Sequence, residues 1–201
     1  MHRSIAFTLL LIFSPFATAQ DGAKFTSFAG FDLGKATLAQ VAKRLGPAKI
    51  LEKGEAGEYE AKICYRMPGG TIYFLSGEMG GPDHDLLGLG IAGSSGSRSC
   101  AEFRGSEVPS LELGGLRLGL SKAEFSRVVG GKVEWDGDVG RVAFESRRPI
   151  TPAEFSSLPK GAKEAAESGQ LQDYFDVVVS VVGTFVRGKL SAFQVWKVET
   201  L

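Results

Sequence analysis

One short phrase occurs twice in this 201-residue chain, and it restricts the possible folds more than any other feature. Setting Phe28-Ala29-Gly30-Phe31-Asp32-Leu33-Gly34 over Leu113-Gly114-Gly115-Leu116-Arg117-Leu118-Gly119 matches Gly30 with Gly115, Leu33 with Leu118 and Gly34 with Gly119. After a one-residue gap Thr37 falls on Ser121, Gln40 on Glu124, Val41 on Phe125, Leu45 on Val129 and Gly46 on Gly130. Thr37-x-x-Gln40 and Ser121-x-x-Glu124 are capping boxes, in which the hydroxyl accepts from the third helical N–H and the Gln or Glu reaches back. Leu38, Val41, Ala42 and Leu45 keep the helical period in the first copy, and Phe125, Val128 and Val129 form the matching stripe in the second. Gly46 and Gly130 stand where a helix stop is wanted. Helices of about nine residues do not persist alone, so each stripe must pack on something larger.

Antiparallel sheet supplies that larger object. Strands are predicted over 59–67, 71–77 and 86–92, with turns at Pro68-Gly69-Gly70 and Pro82-Asp83-His84-Asp85. A second set is predicted over 141–146, 175–186 and 189–198, with Arg187-Gly188 as a tight hairpin. The expected fold class is therefore α+β, with two repeated modules, each a short helix packed on an antiparallel meander. Residues 20–103 form the first module, 104–110 the linker and 111–201 the second module. An insert at 151–169 has the composition of two short helices, the first capped by Thr151-Pro152-Ala153-Glu154. It serves as a lid, a partner contact or a cover for a sheet edge.

Residues 1–19 read as a cleaved signal peptide: His2 and Arg3, an apolar stretch from Ile5 to Phe16, then Ala17-Thr18-Ala19. A periplasmic or secreted product is expected, with no transmembrane segment after cleavage. In such an oxidising compartment Cys64 and Cys100 are expected to pair, although two buried thiols are the competing arrangement. Alternation favours the bridge, because Tyr59, Ala61, Ile63, Tyr65 and Met67 share one strand face and Cys64 points to the other. Equal numbers of basic and acidic side chains, 23 of each, give no field toward nucleic acid or anionic membrane.

The phrase Leu118-Gly119-x-Ser121-x-x-Glu124-Phe125-x-x-x-Val129-Gly130, followed by a meander, resembles the repeat of the small outer-membrane-assembly lipoproteins of the BamE (SmpA/OmlA) type. Its double occurrence is similar to the tandem-repeat β-lactamase inhibitory proteins. Both families place short helices on a small antiparallel sheet and neither is enzymatic, so the resemblance implies a protein that binds other proteins or envelope components. No cysteine follows Ala19, so the lipid attachment of the assembly lipoproteins is not expected.

Candidate chemistry is sparse. Gly88-Leu89-Gly90-Ile91-Ala92-Gly93 matches a dinucleotide fingerprint by letters, but Ser94-Ser95-Gly96-Ser97 follows where a helix should open. As a strand the segment turns Leu87, Leu89 and Ile91 to the core and leaves Gly88, Gly90 and Ala92 as a bare stripe, over which residues 94–103 are expected to fold back. Asp83-His84-Asp85 reads as a solvated hairpin tip and Asp136-Gly137-Asp138 as a turn, because neither has metal-ligand spacing. His84 would have to be the base of any Ser-His-Asp system, and no serine sits in a nucleophile elbow. Neither an enzyme nor a cofactor or metal is expected.

Aromatic side chains are the remaining binding signal. Trp196, Phe193, Tyr174 and Trp135 are the candidate binding residues. On the last strand Leu190, Ala192, Gln194, Trp196 and Val198 share one face, and Ser191, Phe193, Val195 and Lys197 the other. A helix layer covers one face of a sheet, so the other is a binding surface or is closed by loops, the insert or a second chain. The expected function is an exported, non-catalytic binding module for a protein or envelope partner; the alternative is a secreted enzyme inhibitor.

Overall fold

The computed structural model describes residues 22–55, 57–93, 99–104, 109–169 and 172–201. The predicted signal peptide, and 105–108 of the predicted linker, lie outside them. The first half runs through β1 (Ser27–Phe28), β2 (Phe31–Asp32), α1 (Leu38–Leu45), β3 (Leu51–Lys53), β4 (Glu60–Met67), β5 (Gly70–Gly77), β6 (Gly88–Ala92) and β7 (Ala101–Glu102). The second half follows with β8 (Glu112–Leu113), β9 (Leu116–Arg117), α2 (Lys122–Val129), β10 (Glu134–Asp136), β11 (Val139–Pro149), α3 (Pro152–Ser157), α4 (Lys160–Glu167), β12 (Tyr174–Val186) and β13 (Lys189–Thr200).

Both capping boxes form. Thr37 Oγ1 accepts from Gln40 N at 3.2 Å while Gln40 Oε1 accepts from Thr37 N at 3.0 Å. Ser121 and Glu124 repeat this reciprocal pair at the start of α2. Ahead of each helix stands a two-residue hairpin, β1–β2 and β8–β9, which was not expected. Its turn residues, Ala29-Gly30 and Gly114-Gly115, all have positive φ, the geometry that matches the twist of a tight hairpin. Behind the hairpins the same backbone bonds recur: Gly34 N donates to Leu86 O and Leu86 N to Ala36 O, as Gly119 N does to Leu190 O and Leu190 N to Leu120 O.

Apart from the two hairpins, the nine other strands among the described residues form one sheet in the order β10-β11-β12-β13-β6-β5-β4-β3, with β7 parallel to the outer edge of β4. β6 and β13 join the two halves, pairing Ile91 with Phe193 and Leu89 with Val195. One face of this sheet carries the core: Ala61, Ile63 and Tyr65 on β4, Ile72 and Phe74 on β5, Leu89 and Ile91 on β6, Phe193 and Val195 on β13, Val179 and Val181 on β12, Val142 and Phe144 on β11. Leu38, Val41 and Leu45 of α1 and Phe125 and Val129 of α2 close over that face. Tyr65 fixes α1 to β4 through a bond from its hydroxyl to Gly46 O at 2.7 Å, and burial pushes this phenol up to about 12, so it remains a donor. Phe125 seats over Gly183, where an added Cβ would lie 2.8 Å from the ring.

The halves exchange cover as well as edges. A 3-10 turn at Gly22–Phe25 lies against β11 and β12, with Phe25 and Phe144 ring centres 5.8 Å apart. A Cβ on Gly22 would meet those of Val179 and Phe144 at 2.9 and 3.0 Å. In the other direction Leu111 and Leu118 reach Gly70 at the β4–β5 turn. Most of the buried apolar residues accordingly form one cluster that spans both halves.

Three sequence expectations need correction. Leu190 does not share a face with Trp196: the register shifts between Thr184 and Phe185, Ser191 is passed over, and Leu190 turns into the core. The bare glycines of β6 are covered by the neighbouring strand, since Trp196 lies across Gly88 at 2.8 Å from its would-be Cβ and Gln194 lies against Gly90. Residues 94–98 are outside the described residues, and Ala101–Glu102 runs along β4 instead. His84 is packed rather than solvated, its ring stacked on Tyr59 at 6.3 Å between centroids.

Candidate functional site

The face of the sheet opposite α1 and α2, here the open face, follows from strand alternation. Once Val177, Val179 and Val181 point to the core, Val178, Ser180 and Val182 must point away, and their partners Val198, Trp196 and Gln194 on β13 do the same. Gly90 on β6 and Tyr73 on β5 continue the surface. These positions are half-buried or exposed except for Gly90, which is buried beside Gln194. The centre thus carries no charged side chain. Charge surrounds it, with Arg141, Glu145 and Arg147 on β11 at one side, Asp176 at the start of β12, and Glu60, Lys62 and Arg66 on β4 at the other side.

The disulfide lies toward the second border. Cys64 and Cys100 are bridged, and both are buried although Cys64 faces away from the core. Arg66 pairs with Glu102 at 3.2 Å beside it, so the bridge and the ion pair together hold β7 to the edge of β4.

The four candidate aromatics are not brought together. Trp196 is half-buried in the middle of the open face. Phe193 lies on the core face, 2% exposed, and presents nothing to a partner. Tyr174 is at the far end of β12, where the Arg147 guanidinium covers its ring at 4.4 Å. Trp135 is on the helix side, 40% exposed, lying over Gly140 and packed edge-on against Phe125 and Phe185, with Lys122 5.1 Å above its ring.

Two polar clusters escaped the sequence reading. Arg148 bonds Glu154 of α3 through both terminal nitrogens, at 3.0 and 2.7 Å, and also bonds Glu199 of β13. The bonds from Arg148, with those from Thr151, hold the Glu154 carboxyl down at about 2. Burial pushes Glu199 up, but hydrogen bonds from Arg148 and Lys197 and their charges outweigh it, and its net shift is downward. This cluster fastens the insert to the sheet end. The Thr151-x-x-Glu154 box was a visible signal for Glu154, whereas Arg148 and Glu199 are brought together only by strand pairing. α3 and α4 enclose a mostly apolar groove of about 460 Å³, lined by Ile150, Pro152, Phe155 and Ala166.

The second cluster is Glu52, Tyr59 and His84. Tyr59 donates to Glu52 Oε1 at 2.5 Å, which holds its phenol above the usual range, and Glu52 lies 3.7 Å from His84 Nε2. His84 Nδ1 is buried without a protein partner, and the His84 carbonyl accepts from Leu38 N at the start of α1. The trio can orient an imidazole, but its packing against Tyr59 ties it to the base of α1. Among the described residues no three His, Cys, Asp or Glu side chains converge as metal ligands.

Among the described residues, fold and site define an α+β protein with a broad antiparallel sheet, four helices and one disulfide. No protein-family model, curated protein or solved structure matches the chain. The disulfide is consistent with an oxidising compartment outside the cytoplasm. No helix among the described residues is long and apolar enough to cross a membrane.

Proposed function

We propose that this chain is an exported, non-catalytic binding protein, built from two copies of one helix-plus-sheet module, whose open face engages a protein or envelope component. The observation that carries the reading is the uncharged centre of that face, where Val178, Val182, Trp196 and Val198 keep partial exposure although the helices have closed the opposite side. An aromatic ring amid small and aliphatic side chains, bordered by charge, is the usual anatomy of a protein-binding patch. The duplication is supported by the paired capping boxes, the paired hairpins and the matched backbone bonds behind them. Export is supported by the disulfide, and the resemblance to non-enzymatic envelope families agrees with both.

The test is crosslinked capture from envelope extract with the tagged mature chain, comparing wild type with Trp196→Ala and Gln194→Lys. Gln194 is exposed, so the added charge disturbs the face without disturbing the core. One partner enriched by wild type and lost with both variants supports the reading. Equal capture by all three places the binding surface elsewhere. A partner that is an enzyme, silenced on binding, makes the chain an inhibitor.

A further inference from the structure

We infer that the uncovered edge of β11 pairs antiparallel with the same edge of a second copy of this chain. β11 is an eleven-residue strand, yet β10 covers only Val139, Gly140 and Arg141. From Val142 to Pro149 its outer side has no strand partner among the described residues. The orientation of the free groups follows from the inner pairing. Phe185 N donates to Asp138 O and Ile150 N to Asp173 O, so even-numbered residues of β11 turn their N–H and C=O toward β12. Ala143, Glu145 and Arg147 therefore aim both groups outward, and Pro149 its carbonyl alone. Such an edge is a ready template for another strand.

Charge decides which strand and in what register. In a two-fold antiparallel pair the axis passes through one residue, and the side chains on either side of it meet their counterparts. Centring on Glu145, Arg147 or Arg148 sets like charges face to face. Centring on Phe144 brings Arg147 of the second copy against Arg141, which β10 already covers. Centring on Ser146 places Glu145 opposite Arg147 on both sides of the axis, with Ala143 opposite Pro149 and no like charges opposed. Glu145 is exposed and has no ion pair within the chain among the described residues, and Arg147 engages Asp176 through Nε only. Among the registers centred on residues 144 to 148, the one on Ser146 alone opposes no like charges.

Light scattering and sedimentation over the micromolar range, on the mature chain, measure the association. Glu145→Arg and Arg147→Glu should each weaken the dimer about tenfold or more, by replacing two attractive cross-strand pairs with two repulsive ones. The double exchange, Glu145→Arg with Arg147→Glu, restores the pairs and should recover wild-type association. A second measurement does not depend on those charges. Ser146 meets itself across a non-hydrogen-bonded pair about 4.5 Å apart at Cα, within disulfide range. Ser146→Cys should therefore oxidise to a covalent dimer, and Glu102→Cys on the opposite border of the sheet should not. A monomer at every concentration, a dimer indifferent to both single exchanges, or equal crosslinking at Ser146 and Glu102 overturns the inference.

Discussion

Replacing both cysteines by alanine should cost this protein about 3.8 kcal/mol. The bridge closes a sequence separation of 36 residues, from Cys64 at the middle of β4 to Cys100 just before β7. Chain-entropy reasoning assigns a loop of that length about 13 cal/mol/K of lost freedom in the unfolded state, or about 3.8 kcal/mol at 25 °C. Alanine is the correct replacement because both residues are nearly fully buried, at 2% and 3% exposure. Serine would add the penalty of an unsatisfied hydroxyl and obscure the entropic part. With a urea slope of about 2 kcal/mol/M, the midpoint of the double variant should fall by about 2 M. The effect should also be visible locally, since β7 is two residues long and is otherwise held by its pairing with β4, the bond from Phe103 N to Arg66 O and the exposed Arg66–Glu102 pair. The Phe103 amide should therefore exchange faster, relative to the β12 amides, in the double variant. A midpoint shift below about 0.5 M at unchanged slope would refute the reasoning, because the unfolded ensemble would not have been limited by the loop.

Gly183→Ala should destabilise by about 1–3 kcal/mol in the same urea assay, because its methyl would lie 2.8 Å from the Phe125 ring and 3.0 Å from Leu190. Gly137→Ala, with open space around it but φ at +56°, should cost only about 1 kcal/mol through backbone strain. Glu154 ionises at about 2 in the folded chain, below the ~4.3 of an unfolded glutamate, so its hold on the insert is complete above that value and fades as pH falls toward 2. Amide shifts of residues 153–157 followed by NMR should show this release, and Arg148→Met should release the insert already at neutral pH.

The helices were legible because everything that makes them is local. Thr37 and Gln40 lie within one turn, as do Ser121 and Glu124, and the stripe behind each box marks the face that packs. Strand alternation likewise identified the face of β4 that carries Ile63 and Tyr65 and the outward aim of Cys64. β3, β7 and β10 were illegible because two or three residues carry no periodicity; they exist through pairing to a longer strand. The joint between β6 and β13 was hidden for a related reason, since Leu89 and Ile91 would pair as well with many apolar strands. Trp196 shows the limit most directly. Alternation gave its face, and the bare glycines of β6 pointed to a cover sought in residues 94–103, but only the β6–β13 register makes Trp196 the cover for Gly88.

The joint also explains why the two ends of the sheet differ. An α+β unit with a four-stranded meander has two exposed edges, and pairing β6 with β13 removes one from each half. At the first-half end, β3 covers residues 60–62 of β4 and β7 covers 65–66, so most of that strand is paired, and Glu52, Lys53 and Glu102 place charge along what remains. At the other end β10 stops after Arg141, although β11 continues for eight more residues. An edge of that length left bare in a stable protein invites indiscriminate pairing unless its side chains refuse most partners. Glu145, Arg147 and Pro149 do so: the charges reject the neighbouring registers and the proline removes a donor. What remains open is the register centred on Ser146. The same residues that protect this edge against foreign strands thus admit a second copy, and the charge-exchange variants separate the two roles because they alter selectivity without changing the number of free backbone groups.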